Sequence, residues 1–251
     1  MTDVLYSKMA IPEACHLGKR VFKKLFAENA SLTAADKRAF SEDIDTVTWQ
    51  YTLKPSTIPI SAYEDEEREY HEVAILQVNL KTRKRTRRIA EVIHRSIPYP
   101  VFLVLNHSPA FAVSVAHKRF SKAEKDAIVA EDIQLTDWID SATPSESQVA
   151  FLESLALSGL PHTHFLDLYS AFVHRLSALD AARLSGRFSL YDSVEQQELR
   201  QRRLDSCRAI EQQIAELRSI LKKETQFNNQ VDLNTKIKRL EHQLHSESTL
   251  L

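Results

Sequence analysis

The sequence predicts an α+β protein: a mixed β-sheet of about five strands with covering helices, then a helical region and a long C-terminal coiled-coil helix or helical hairpin. Residues 47–53 alternate apolar and polar residues, as a half-buried strand does. Residues 70–81 are expected to form a second strand that buries Ala74, Leu76, Val78 and Leu80. Residues 101–105 are apolar without alternation, which fits a central strand with both faces covered. From about Asp192 onward the chain has no Gly or Pro, and apolar residues recur at steps of three and four.

The C-terminal segment is expected to form a helix that needs a partner. Glu, Gln, Arg and Lys, which are good helix formers, separate its apolar positions. An uninterrupted helix would be about 80 Å long at about 1.5 Å per residue, longer than the body that the rest of the chain can form. Its apolar stripe must therefore bury against its own returning arm or another chain, as in a coiled coil. The stripe comprises Leu204, Cys207, Ile210, Ile214, Leu217 and Leu221, then Leu233, Ile237, Leu240 and Leu244.

The middle of this segment allows two interpretations, because the stripe thins between Leu221 and Val231. In the first, one helix continues with a rotated seam. In the second, the chain turns at residues 227–230 and folds back as a hairpin. Asn residues tolerate turn geometry, but no Gly or Pro marks a stop, which favours the continuous helix.

The composition suits a compact body with an extension. The chain has 251 residues, of which 43% are hydrophobic and 27% charged. We expect a mixed α/β domain over residues 1–140, a connector and helix over 141–190, and the long helix over 191–251. The 33 basic and 34 acidic residues give a formal net charge of −1, so any nucleic-acid contact must come from a local patch.

Two helices are expected before the first strand. The first covers residues 12–24, because Leu17, Val21 and Leu25 then share one face. Thr33 can cap the second, since its hydroxyl can accept a hydrogen bond from an orphan backbone N–H.

The rest of the body alternates strands with one further helix. That helix ends before Pro98, because proline cannot continue a helix and its predecessor becomes extended. The expected strands are 47–53, 70–81, 101–105, 111–115 and 127–135, and the expected helices are 34–42, 86–96 and 165–182.

A cytoplasmic protein without membrane contact is expected. Cys15 and Cys207 form no spaced motif, and Cys207 lies on the apolar stripe, so we expect reduced thiols. No stretch is long and apolar enough to cross a membrane, and the N-terminus lacks the pattern of a signal peptide.

No catalytic site, metal or cofactor is predicted. The sequence contains no Gly-x-Ser-x-Gly elbow, no His-Glu-x-x-His pair and no Walker sequence. His162 and His164 could share a metal, but we find no Cys, Asp or Glu close enough in sequence to complete the site.

A degenerate nuclease-like core stays open as a hypothesis. Many nucleases place an Asp before one strand and a Glu-x-Lys on the next, because two carboxylates hold Mg²⁺ while the lysine stabilises phosphate charge. Asp43 and Asp45 precede one predicted strand, and Gln77, Asn79 and Lys81 share a face of the next. The second strand lacks the carboxylate, and neutral amide oxygens bind Mg²⁺ weakly, so enzyme activity is not favoured.

Residues 81–88, the basic run, form a candidate nucleic-acid contact. Positive charges at a helix N-terminus oppose the macrodipole, so an anionic partner would stabilise them. A phosphate backbone and an acidic protein surface are both candidates, and a solvated loop needs no partner. The candidate contacts are Arg83, Lys84, Arg85, Arg87 and Arg88.

Three stretches resemble one protein family. They are residues 97–102 (Ile-Pro-Tyr-Pro-Val-Phe), 115–119 (Val-Ala-His-Lys-Arg) and 223–228 (Lys-Glu-Thr-Gln-Phe-Asn) with Val231, Leu233 and Asn234. Together they resemble an uncharacterised bacterial domain family, typically encoded beside a helicase and a DNA methyltransferase in restriction-like phage-defence clusters. The resemblance extends over nearly the whole chain. It implies a cytoplasmic accessory protein with DNA-processing partners and assigns no activity to any residue.

Two functions follow as hypotheses. In the first, the protein is a non-catalytic adaptor whose C-terminal segment binds a helicase, methyltransferase or nuclease subunit, or a second copy of itself. A buried Asn can set the register of such a contact, whereas Phe227 and Val231 could instead pack on the protein's own core. In the second, the basic run contacts DNA phosphates on a degenerate nuclease-like core. The partner-binding residues of the first hypothesis are Lys223, Phe227, Asn228, Val231 and Asn234.

Overall fold

The computed structural model describes residues 2–29, 32–123, 127–191 and 193–251, without the side chains of residues 27–29. The chain divides into two compact units, Met1–Leu176 and Ser177–Leu251. Among the described residues, no helix has the length and apolar character that a membrane crossing requires.

The first unit is built on a mixed sheet of seven strands rather than the predicted five. Its strands are β1 (His16–Val21), β2 (Ile44–Leu53), β5 (Val73–Leu80), β6 (Val101–His107), β7 (Ala110–Phe120), β8 (Ile128–Leu135) and β9 (Ile139–Asp140), and a separate pair comprises β3 (Tyr63–Glu64) and β4 (Glu69–Tyr70). The order across the sheet is β1-β2-β5-β6-β7-β8, with β9 beside β7. In the described sheet, β5 and β6 form the parallel pair and the other pairs are antiparallel.

Helices cover both faces of this sheet. They are α1 (Asp3–Met9), α2 (Lys24–Asn29), α3 (Ala34–Glu42), α4 (Thr86–Ser96), α5 (Glu146–Ser154) and the part of α6 (Phe165–Ser185) that belongs to this unit, up to Leu176. On one face Phe40 of α3 and Ile89 of α4 join a core with Leu76 and Leu103 of the sheet. On the other, α1 packs against α5, and the ring of Phe102 lies 4.9 Å from that of Phe172 in α6.

The helix predicted over residues 12–24 is wrong. Glu13–Cys15 form a single 3₁₀ turn, and β1 pairs antiparallel with β2. Leu17 and Val21 lie four positions apart, and that spacing also places two residues on one face of a strand. By contrast, α3 begins with the expected cap, in which the Thr33 hydroxyl accepts a hydrogen bond from the N–H of Asp36, and α4 has the predicted bounds.

The second unit contains a helical hairpin, so the favoured continuous helix is wrong. The alternative of a hairpin is confirmed, but the chain turns at residues 222–226, and the expected turn residues 227–230 instead begin the second helix. We expected the helix to begin near Asp192, which lies outside the described residues; α7 spans Val194–Leu221 and α8 spans Phe227–Ser248. The two helices are antiparallel, with Arg218 Nη2 2.7 Å from Glu241 Oε1. The apolar stripe is buried within the hairpin around Ile210, Ile214 and Ile237. Supercoiling of the two helices stays a prediction.

Glu224 explains how the chain turns without Gly or Pro. Its Oε1 accepts hydrogen bonds from the backbone N–H groups of Thr225 and Gln226, both at 2.8 Å. Its Oε2 accepts from Asn229 Nδ2 at 3.1 Å, and its backbone oxygen from Gln230 Nε2 at 2.7 Å. The Glu224 carboxylate therefore satisfies the backbone donors of the two residues that immediately precede α8.

Candidate functional site

The parallel strands β5 and β6 end side by side and bring amide side chains to one edge of the sheet. Asn79 and Asn106 are register partners, and Asn106 Nδ2 donates to Asn79 Oδ1 at 2.9 Å. Asn79 Nδ2 donates in turn to Thr46 Oγ1 at 2.8 Å. Open α/β sheets bind ligands at the carboxyl ends of parallel strands. We call Thr46, Gln77, Asn79 and Asn106 the polar seam.

Internal hydrogen bonds connect the polar seam and extend to α1. Gln77 Nε2 donates to Asn79 Oδ1 at 3.0 Å, and Gln77 Oε1 accepts from Thr2 Oγ1 at 2.9 Å and from the Tyr6 hydroxyl at 3.0 Å. Burial raises the pKa of Tyr6 far above its usual value, so this hydroxyl stays a donor. A cation would have to displace these donors to reach the side-chain oxygens of Gln77 and Asn79. Within the described part of the chain, no group of three or more His, Cys, Asp or Glu side chains could hold a metal ion.

The acidic residues of the nuclease hypothesis contact other partners. Asp43 is buried, and its carboxylate accepts hydrogen bonds from Arg85 Nε at 2.5 Å and Thr82 Oγ1 at 3.1 Å. The Arg85 guanidinium lowers the pKa of this carboxyl. Asp45 is exposed. The structure thus brings Asp43 to the basic run, while Gln77 and Asn79 bond to one another.

The basic run splits into paired and exposed cations. Arg88 pairs with Asp36 of α3, as Arg85 does with Asp43. The Arg83 guanidinium lies 4.4 Å above the ring of Trp138, a cation–π contact. Lys84 is exposed, as is the side chain of Arg87 at 70%, which lies 3.5 Å from Glu91. No local sequence pattern reveals these acidic partners, because Asp43 lies 42 residues before Arg85 and Asp36 lies 52 residues before Arg88.

The predicted partner-binding residues lie around the turn of the helical hairpin. Phe227 is 75% exposed and Val231 46%, one helical turn apart on α8, so neither packs on the protein's own core. Lys223, Asn228 and Asn234 are exposed, and Asn234 Nδ2 donates to the backbone oxygen of Gln230 at 2.8 Å. We call Lys223, Phe227, Asn228 and Val231 the hairpin tip, and Asn234 lies one turn further along α8.

A buried cluster that sequence reasoning missed occupies β7 and the end of α4. Lys118 Nζ donates to the backbone oxygens of His94 and Ile97, which the end of the helix leaves open. His94 Nε2 lies 3.0 Å from Ser114 Oγ, and His117 Nδ1 lies 2.7 Å from the Tyr70 hydroxyl. Burial lowers the pKa of Lys118 to about 7, of His117 to about 4 and of His94 to about 3. This part of the 115–119 stretch therefore holds the fold together.

The histidine pair near α6 has an acidic neighbour after all. His164 Nε2 lies 3.4 Å from Asp167 Oδ2, one helical turn later. The His164 ring also lies 4.6 Å from the ring of Tyr63. These contacts give His164 a local structural role.

Comparison with known proteins identifies a family but no activity. No curated protein and no solved structure shows significant similarity to the chain. A family profile described as a domain of unknown function (DUF4391) matches residues 9–244, which is nearly the whole sequence. The chain therefore belongs to the DUF4391 family of domains of unknown function.

Proposed function

We propose that the protein is a non-catalytic accessory subunit that binds a protein partner through the hairpin tip. The observation that carries this proposal is the exposure of Phe227, an aromatic side chain with Val231 beside it on the same face of α8. The apolar stripe of the hairpin is already buried around Ile237, so Phe227 and Val231 remain available to contact a partner protein. Exposed aromatic side chains are frequent anchors of protein interfaces.

The expected partners are subunits of a bacterial DNA-processing assembly in the cytoplasm. This part of the proposal rests on the sequence resemblance, which implies a neighbouring helicase and DNA methyltransferase in restriction-like, anti-phage clusters. A second copy of the chain is the competing partner. Lys223 would lie at the polar rim of either contact, where charge sets specificity more than affinity.

Co-expression with the proteins encoded beside the gene tests the proposal. Phe227→Asp combined with Lys223→Glu is expected to reduce co-purification at least tenfold while circular dichroism stays unchanged. Val194→Asp is the matched control, because Val194 is an apolar residue at the start of α7 with 64% exposure. Retention of the complex by the tip variant would rule out the hairpin tip as the docking element. Light scattering of the isolated protein shows whether the hairpin tip binds a second copy of the chain instead of a different protein.

A second candidate function is DNA binding through the exposed part of the basic run, on a degenerate nuclease-like core. The favouring observation is that Lys84 and Arg87 are exposed beside the start of α4, whereas Arg85 and Arg88 bond to internal carboxylates. Duplex and single-stranded DNA would be titrated at two salt concentrations. Lys84→Glu with Arg87→Glu is expected to reduce the salt slope by about one per lost phosphate contact. Lys238→Glu on α8 is the control, and absence of binding at low salt excludes this function.

A further inference from the structure

An apolar pocket lies on the face of the sheet that carries α4, beside β1. Its volume is about 270 Å³, and its walls include Val21, Leu25, Phe26, Trp49 and Tyr99. The rings of Trp49 and Tyr99 are 5.6 Å apart, and Trp49 Nε1 already donates to the backbone oxygen of Tyr51 at 3.0 Å. Pockets for drug-sized ligands have volumes of about 300–1,000 Å³. This pocket is therefore sized for one large apolar side chain.

The strand next to the pocket, β1, is an edge strand of the sheet. β1 pairs with β2, and no other described strand lies beside it. The register shifts between His16 and Lys19, where Gly18 has a φ of +60°, and is regular over residues 19–21. A bulge and a lysine protect an edge against unspecific pairing. Residues 19–21, the regular stretch after the bulge, can pair with one short additional strand.

The segment that supplies Val21, Leu25 and Phe26 to the pocket is positively charged. Residues 16–26 contain Lys19, Arg20, Lys23 and Lys24 and no Asp or Glu. Burial, Lys81 and Arg20 together lower the pKa of Lys23, and Asp45 opposes them only in part. An anionic partner would offset this excess of positive charge. A phosphodiester backbone has no apolar group to fill the pocket, whereas a peptide segment has both charge and apolar side chains.

We propose that β1 and this pocket form a docking site for an extended acidic segment of a partner protein. The segment would pair with residues 19–21 through its backbone and place one large apolar side chain in the pocket beside Trp49. Phe22, which is 61% exposed, would extend the contact outside the pocket. This site lies on the first unit and is independent of the hairpin tip.

A fluorescence titration of the full chain tests the proposal. The chain has two tryptophans, so Trp138→Phe leaves Trp49 as the only indole reporter. The probe is a synthetic peptide of alternating Glu and Val with one central Phe. Its binding is expected to shift the Trp49 emission and to weaken as salt rises. Replacing the Phe of the peptide by Ser, or N-methylating alternate peptide nitrogens, is expected to weaken binding at least tenfold.

Two protein variants locate the site. Leu25→Glu, at the pocket wall, is expected to weaken binding at least tenfold, whereas Val149→Glu, a partly exposed apolar residue on α5, has no effect. Arg20→Glu with Lys24→Glu, both exposed, is expected to weaken binding without touching the pocket.

Four outcomes overturn the proposal. They are the absence of peptide binding, equal affinity of the Phe and Ser peptides, and insensitivity to Leu25→Glu. The fourth is evidence that a second copy of the chain or a nucleic acid, rather than an acidic peptide, binds at this site. Light scattering that shows a dimer abolished by Leu25→Glu would assign the edge to a second copy. A DNA oligonucleotide that binds when the peptide does not would assign it to nucleic acid.

Discussion

Arg85 and Asp43 form a two-point ion pair that joins the start of α4 to the end of α3. Arg85 Nε lies 2.5 Å from Asp43 Oδ2, and Arg85 Nη2 lies 3.1 Å from Asp43 Oδ1. Arg88 and Asp36 repeat the arrangement one turn further along α4. The positive charges that oppose the dipole of α4 are therefore offset by carboxylates of the same unit.

Asp43→Asn is expected to destabilise the fold by about 2 kcal/mol at pH 7, because Arg85 loses its charged acceptor. The pKa of Asp43 is lowered in the folded protein, chiefly by the Arg85 hydrogen bonds. Its contribution is therefore complete above the unfolded pKa of 3.8 and is lost as the pH falls through the folded pKa. Urea unfolding at a series of pH values measures this.

The difference in the free energy of unfolding between wild type and Asp43→Asn should accordingly narrow as the pH falls from 5 to 2.5. Asp45→Asn is the control, since Asp45 is exposed two residues later and should leave stability unchanged. A gap of constant size across this range contradicts the assignment of the effect to the ionised carboxylate.

Two buried histidines make the stability of the fold depend on pH in a second, higher pH range. Burial lowers the pKa of His94 to about 3 and that of His117 to about 4, against an ordinary value of 6.5. Below pH 6.5 the unfolded chain takes up protons that the folded chain does not, so stability falls as the pH falls from 6.5 to about 4. The expected slope corresponds to about two protons. His117→Gln should reduce it by about one proton, and His242→Gln, an exposed control on α8, should leave it unchanged. An unchanged slope in His117→Gln would assign the acid sensitivity to other groups.

The elements that could be predicted from sequence are those with one unambiguous period. Alternation over residues 47–53 of β2 and the helical spacing of α4 each exclude the other type of element. The β1 segment satisfies both periods through Leu17 and Val21, and pairing with β2 decides between them. β9 is only two residues long, too short to show a period. The hairpin turn has no Gly or Pro because Glu224 supplies its hydrogen bonds.

The candidate sites were predictable only in part, because several of their contacts join residues that are far apart in the sequence. Exposure of Phe227 depends on where the chain turns, which the stripe alone did not fix. The pairing of Arg85 with Asp43 joins residues 42 positions apart in sequence, and no local pattern encodes such a contact. The buried Lys118 lies between apolar neighbours of β7, and its role depends on where α4 ends.

The polar seam should contribute to stability through Asn79. This side chain accepts from Gln77 and Asn106 and donates to Thr46, so Asn79→Leu leaves three polar groups without their partner. We expect a loss of about 2 kcal/mol in the free energy of unfolding, measured by urea denaturation. Asn228→Leu, at the exposed hairpin tip, should change it by less than about 0.5 kcal/mol. Equal effects of the two substitutions would show that the seam contributes nothing specific.

The hairpin should depend on Ile237, which is buried against Ile210 and Ile214 of α7. A long helix is marginal in water without a packed face, so Ile237→Ala is expected to destabilise both α7 and α8. The expected loss is about 2 kcal/mol, the lower end of the range for such truncations, because the hairpin is only partly shielded from water. Hydrogen exchange read by mass spectrometry should show faster exchange along both helices. Val231→Ala, on the exposed face of α8, should leave exchange unchanged. If Ile237→Ala accelerates exchange in α8 alone, the returning arm is not what stabilises α7.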